Sequence, residues 1–300
     1  MQISKSTEKH AYLIMAHHRP DLLNDLLSAL DEDGNDVYLH IDKNSLNKMS
    51  PYSFSMEHGH LTVIPSLSIK WGHPSQVECA LNLLETATRD GHHLYYHLLT
   101  GATYPLKSQD EISAFFSDYR GTEFIGFAER NCVERVKYYW LFKDAIGTSK
   151  DSKRKWEFRL HRLQDLFRID LFKKYDMECK KGLAYWSITD DLARYVLNQK
   201  KIILEMTRHS SCGDEIFMQT IAWNSPFRDR LYLKDNLSEA CSLRLSTWEI
   251  EEKERRPGHN FMIKDLPLLL DSDSMFALKF EGPAGPHLID ILKNRIMQHS

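Results

Sequence analysis

The sequence predicts an α/β fold: a mostly parallel central sheet with helices on both faces. Two observations and one rule of chain geometry lead there. Short apolar runs bounded by turn residues recur through the first half, "AYLIMA" from Ala11, "VYLHI" from Val37, "LTVI" from Leu61, "LYYHLL" from Leu94 and "EFIGF" from Glu123. Segments of helical period lie between them, "PDLLNDLLSAL" from Pro20 and "SQVECALNLLETATR" from Ser75. Strands that alternate with helices pair in parallel, because each crossover returns the chain to the same end of the sheet.

Taken in order, the first strand ends before His17 and His18, and Pro20 opens the first helix at the position where a missing N–H costs nothing. The second strand runs into Asp42, and the strand from Leu94 runs into the loop Gly101 to Pro105. In such sheets ligands bind beyond the carboxyl ends of the strands, so these three places are the candidate ligand contacts. The second half is less regular, with helices expected from Ser152 to Lys174, from Thr189 to Met206 and from Asp214 to Trp223. It holds no repeat and no low-complexity linker. Residues 1–300 therefore read as one domain, with 1–127 as a nucleotide-binding half and 128–300 as an acceptor-binding and catalytic half.

Composition narrows the function classes. The formal net charge is -3 over 300 residues, so no chain-wide attraction to nucleic acid is expected and any anion site must be local. The five cysteines are odd in number, widely spaced and free of C-x-x-C pairs, which points to reduced thiols rather than a disulfide framework or a zinc knuckle. The apolar run near the N-terminus is too short for the core of a signal peptide or a membrane span. The expectation is a cytoplasmic protein, at the inner face of a membrane at most. The basic stretch "SKDSKRKWEFRLHRL" reads most simply as a solvated helix face, with a contact to a membrane surface or an acidic glycan as the alternative.

Several constellations could carry chemistry. In "SCGDEIFMQT" two adjacent acids, Asp214 and Glu215, follow a glycine and precede an apolar run. They could hold a metal, act as a catalytic base, or open a helix, where the macrodipole favours acids. His17, His18, His40 and Asp42 stand at strand ends and could gather at one metal as in hydrolases, although His17 and His18 point to opposite faces and at most one can join. The alternative for such a histidine is a hydrogen bond to backbone, and for Asp42 the acceptance of hydrogen bonds from a ribose or base. The triplet "DSD", Asp271 to Asp273, has the composition of a divalent-metal clamp but lies near the C-terminus, where a surface turn or helix cap is expected. A diphosphate would then need side-chain cations, for which Arg255, Arg256 and Lys279 are candidates.

In order along the chain, "YLIMAHHRPDLLNDLLSAL", "VYLHIDK", "KWGHPSQVECALNLL", "YYHLLTGATYPLKS", "GLAYWSITDDLARYVL", "GDEIFMQTI" and "FALKF" resemble glycosyltransferase family 14, the core-2/I-branching β-1,6-N-acetylglucosaminyltransferases and their xylosyltransferase relatives. The resemblance runs from about Tyr12 to Phe280. It implies a GT-A-type fold and an inverting transfer of a sugar, GlcNAc, xylose or related, from a UDP-sugar co-substrate to a hydroxyl of a glycan or lipid-linked glycan. No metal and no cofactor are implied. By the same resemblance, Asp42 matches the acid on the uridine, with Ala16 and His17 in the same pocket, and Glu215 matches the catalytic base with Asp214 in support. Arg256 and Lys279 match the basic pair on the diphosphate, Arg255 being adjacent to the first. Trp248 matches an aromatic that packs on the acceptor sugar, and Glu123 or Glu129 an acid that hydrogen-bonds it. The chain departs from the family in "GATYP", where Thr103 stands in place of a usual Asp, a change that bears on donor or acceptor preference rather than on reaction type. With the short N-terminal run, a bacterial enzyme of surface-polysaccharide or lipopolysaccharide assembly is expected. Two other classes compete: a metal-dependent hydrolase using His17, His40 and Asp42, and a catalytically silent module that binds UDP or glycan.

Overall fold

The computed structural model describes residues 8–129, 132–142, 151–233, 236–247 and 260–299. Trp248, Arg255 and Arg256 lie outside the described residues. A six-stranded sheet forms the centre. Strands β1 (His10–Ala16), β2 (Asn35–Ile41), β3 (His60–Val63) and β4 (Tyr95–Thr100) are parallel, in the order β3-β2-β1-β4. Beyond β4 the sheet continues with β7 (Trp186–Thr189) and β6 (Phe124–Ile125), each antiparallel to its neighbour. A second sheet of three short strands has the order β5 (Tyr104–Pro105), β9 (Phe276–Leu278), β8 (Arg244–Ser246).

Side chains alternate across the central sheet as period-two geometry requires. Ala11 and Leu13 of β1 pack with helices α2 (Ser75–Asp90), α6 (Asp190–Asn198) and α8 (Phe217–Trp223) on one face. Tyr12 and Ile14 pack with α1 (Pro20–Ala29) and α3 (Gln109–Asp118) on the other. Because both faces are covered, β1, β2 and β4 are buried nearly throughout and read from sequence as apolar runs, whereas the edge strand β3 is exposed to half-buried. The register sets Met15 opposite both His40 and Thr100, so the carboxyl ends of β1, β2 and β4 finish level. His17, Asp42 and Gly101 therefore emerge along one edge.

The second half departs from the pattern expected of it. The stretch Thr189 to Met206 is two helices: Thr189 caps α6 by accepting from Leu192 N, and the chain turns at Gln199 (φ -91°, ψ 3°) before α7 (Lys200–Thr207). Helix α5 spans Asp151–Leu166, after α4 (Glu134–Lys137), and stops short of Lys174 because Arg168 takes a left-handed conformation (φ 53°). Two further helices, α9 (Leu266–Asp271) and α10 (Gly285–His299), flank the second sheet. Asp271 to Asp273 lies where α9 leads toward β9, with both acids exposed, which is the surface turn expected.

The two sheets are riveted by one buried cation. Arg244, at the start of β8, donates to Trp186 O (2.7 Å), Ser187 Oγ (2.7 Å) and Ser242 O (2.5 Å), and its guanidinium lies over the Phe276 ring. Burial lowers its pKa to about 9, because carbonyl dipoles rather than a carboxylate offset its charge. None of the described helices is long and apolar enough to cross a membrane.

Candidate active site

At the level ends of the parallel strands lies a cavity of about 730 Å³. Ala16, His17, Asp42, Glu129, Asp214, Glu215 and Lys279 all border it. These residues come from five separate places in the sequence, and the fold gathers them because strand ends, the loop before α8 and the exit of β9 converge on one rim.

Asp42 stands where β2 ends. Its N–H donates to Ala16 O (2.8 Å), which stitches the ends of β1 and β2 together. Its carboxylate accepts from Asn44 N (2.7 Å), Asn44 Nδ2 (3.0 Å) and Ile69 N (3.3 Å), so amide dipoles offset the charge although the residue is buried. His17 follows β1 and lends its carbonyl to Ser45 Oγ. His40 has a different part: its Nε2 accepts from Leu67 N (2.8 Å), and burial lowers its pKa. With that lone pair engaged, His40 holds the loop after β3, and His17, His40 and Asp42 do not meet at metal-ligand spacing. Among the described residues the group that does is His17, His18 and Glu281, whose ligand atoms lie within 4.8 Å of one another.

The acids of "SCGDEIFMQT" are presented by a strained turn. Cys212 is left-handed (φ 49°), and a Cβ on Gly213 would stand 2.6 Å from Ser210 Oγ and 3.0 Å from Thr207 Cβ, so only glycine fits. A 3-10 turn, Gly213–Glu215, then leads into α8 without a side-chain cap from either acid. Glu215 O accepts from Gly182 N (2.9 Å), and a Cβ on Gly182 would lie 1.8 Å from Gly126 O. The main chain behind the acid is thus fixed by two glycines in contact.

The two carboxylates have different surroundings. Oε2 of Glu215 meets Arg135 Nη1 at 2.5 Å and Lys181 Nζ at 3.4 Å, forming an ion-pair triad with both cations on one oxygen. Asp214 has its Oδ1 enclosed without a hydrogen-bond partner. Burial, followed by the neighbouring charge of Glu215, pushes its pKa up to about 7. A buried carboxyl raised this far, beside a second acid held by two cations in one cavity, is the arrangement that marks a functional site.

Two expected acceptor contacts are elsewhere. Glu123 is fully buried: its carboxylate accepts from Thr189 N (2.9 Å) and Thr189 Oγ1 (2.6 Å) and lies 3.2 Å from Arg230 Nη2. It braces the β6–β7 corner, and of the two glutamates only Glu129 reaches the cavity. Thr103 is buried too, its hydroxyl accepting from Thr100 N (3.2 Å) to close the turn after β4. Residues not anticipated as site residues also line the cavity. Arg135 and Lys181 come from segments without a motif, and their pairing with Glu215 spans too much sequence for any local pattern to register. Trp71, 56% exposed at the rim, stands within the quoted segment "KWGH", where an exposed aromatic beside a glycine was the available signal.

The profile of the Core-2/I-Branching enzyme family matches residues 10–267. Xylosyltransferase 1 of Canis lupus familiaris is 25% identical over 247 residues, 79% of this chain and 24% of the relative, so the chain spans about a quarter of that protein's length. The crystal structure of mouse xyloside xylosyltransferase 1 in its apo form aligns with 89% of this chain and 96% of its own at 11% identity, with a TM-score of 0.35. The family profile extends from the first residue of β1 into α9 and so covers the whole central sheet. The chain belongs to the Core-2/I-Branching enzyme family of glycosyltransferases.

Proposed function

We propose that the protein transfers a sugar from a UDP-sugar to a glycan hydroxyl with inversion, using Glu215 as general base and no metal. The observation that carries this reading is the sharing of one cavity by Glu215, Asp42 and Lys279. Asp42 accepts hydrogen bonds from the uridine, beside Ala16 and His17. The acceptor hydroxyl attacks the anomeric carbon from the face opposite UDP. Its proton passes to the Glu215 carboxylate, a new C–O bond forms, and the electron pair of the broken bond leaves on the β-phosphate. Lys279 meets that growing charge, joined by Arg256 on the strength of the family resemblance, since preorganised cations act where charge develops. Arg135 and Lys181 orient Glu215 through its Oε2, and Glu129 and Trp71 offer the acceptor a hydrogen-bond partner and an aromatic face. Trp248 has the same aromatic role by resemblance.

The test is a screen of UDP-sugars, with and without chelator, on the wild type and Glu215→Gln. The variant keeps the shape but not the basicity, so turnover falls by about 10²- to 10⁴-fold while UDP affinity stays close to that of the wild type. Near-normal turnover in Glu215→Gln removes the residue from the base role. UDP binding without any turnover in the wild type leaves a silent binding module, and hydrolysis that needs a metal leaves the hydrolase.

A further inference from the structure

Helix α5 is built inside out. Among its described side chains, Glu157, His161 and Gln164, spaced i, i+4, i+7, are the buried ones, whereas a helix on a soluble protein buries its apolar stripe. The polar stripe is occupied by main chain. Glu157 accepts from Leu141 N (3.1 Å) and Phe142 N (2.7 Å), and Gln164 brackets Tyr139 by accepting from its N (2.8 Å) and donating to its O (3.1 Å). The ring of His161 stacks on Tyr138. The apolar residues face outward: Trp156, Leu163 and Phe167, spaced i, i+7, i+11, and Leu166 are 50–75% exposed. Beside them, Lys155, Arg159 and Arg162 form a parallel exposed stripe at i, i+4, i+7, with exposed Arg168 just past the helix end. The acid nearest this face, Asp165, is bound by Lys137 Nζ (2.8 Å) and Tyr138 Oη (2.6 Å).

We propose that this face of α5 seats the protein on an anionic membrane surface, with Trp156, Leu163, Leu166 and Phe167 in the interfacial layer and Lys155, Arg159 and Arg162 on lipid phosphates. An apolar stripe beside a cationic stripe is the pattern of a helix lying in the plane of a bilayer interface. The chain as a whole carries a net charge of -3, so this basic face fixes an orientation instead of drawing in the whole molecule. A second copy fits poorly, because a two-fold contact would bring the same cations face to face. An acidic glycan would meet the cations but has no use for the exposed leucines.

The placement matters to the reaction, and this step rests on the glycosyl-transfer reading. The segment clasped by α5, Lys137–Phe142, continues from the turn that carries Arg135 to Glu215. A membrane under α5 therefore bears on the segment that leads from Arg135, the partner of Glu215, and a lipid-linked glycan in that membrane would present its hydroxyl to the same cavity.

Co-sedimentation of the full chain with phosphatidylcholine vesicles, with and without phosphatidylglycerol, tests the docking independently of catalysis. Binding is expected to require the anionic lipid and to weaken with salt. Arg159→Gln with Arg162→Gln should lower partitioning by about 25-fold, near fivefold per cation. Leu163→Ser with Phe167→Ser should lower it by about tenfold or more, because interfacial binding scales with the apolar area buried. Both variants should keep wild-type turnover on a soluble acceptor. Absence of wild-type binding to anionic vesicles at low salt overturns the proposal, as does binding that both variants leave unchanged. Self-association abolished by Leu163→Ser, or retention on an acidic polysaccharide, in either case without vesicle binding, also overturns it.

Discussion

Replacing Asp214 with Asn should make the protein more stable above neutral pH and flatten its pH dependence. The folded-state pKa of Asp214, about 7, lies above its unfolded value of 3.8. Between those values the folded protein holds a proton that the unfolded chain has released. Stability therefore falls as pH rises from about 4 to about 7 and is level above that. The full shift of roughly three units corresponds to about 4 kcal/mol. Asp214 borders a cavity that water can enter, which screens the ionised form, so about 2 kcal/mol is the working figure. Asn keeps the shape and carries no charge at any pH. Urea unfolding at pH 5 and pH 8 should show the wild type losing about 1 kcal/mol more than Asp214→Asn, because only the upper part of the interval, from pH 5 to about 7, is sampled. Glu123, whose buried carboxyl is also raised to about 7, contributes a slope of the same sign in both proteins, and it cancels in the difference. Identical slopes in the two proteins would show that the Asp214 carboxylate is hydrated in the folded state and would refute the argument.

Two further outcomes follow from the cavity. Asp42→Ala removes the carboxylate proposed to hold the uridine and should weaken UDP and UDP-sugar alike by about 1.5 to 3 kcal/mol, measured by calorimetry; unchanged UDP affinity would release Asp42 from that role. Lys279→Ala should lower kcat by about 10² to 10³, the usual cost of one preorganised donor at the transition state, and chelator should leave wild-type activity unchanged. Activity abolished by EDTA and restored by Mn²⁺ would move the charge-neutralising role to His17, His18 and Glu281.

Strands β1, β2 and β4 and helices α1 and α2 were legible because burial on both faces leaves long apolar runs and because Pro20 and Gly91 punctuate them, whereas β3, half exposed at the sheet edge, shows only as the short run from Leu61. The break at Gln199 and the end of α5 before Arg168 were not, since neither carries glycine or proline; tertiary packing sets them. Strand β7 was hidden for a related reason. It adds antiparallel to β4 within "GLAYWSIT", where a few apolar residues directly precede a helix cap and give no length from which to read a strand. At the site, Asp42, Glu215 and Lys279 were legible as candidates because each sits in a motif, and the fold sets all three along one cavity. Glu123 misled for a physical reason: a carboxylate at the edge of an apolar run reads as a ligand contact, and only the fold reveals Thr189 and Arg230 as its partners. Arg135 and Lys181 were invisible, because an ion pair between distant segments leaves no periodic trace.

The touching backbones of Gly126 and Gly182 also constrain how the enzyme can be changed. Because the wall behind Glu215 is main chain, no side chain there is available for exchange, and mutational drift toward a new acceptor cannot pass through it. Variation has to enter at the rim, through Trp71, Glu129 or Glu239, whose side chains border the same cavity. A directed library that holds Gly126, Gly182 and Gly213 fixed and randomises those three positions would search acceptor preference without disturbing the geometry of the base.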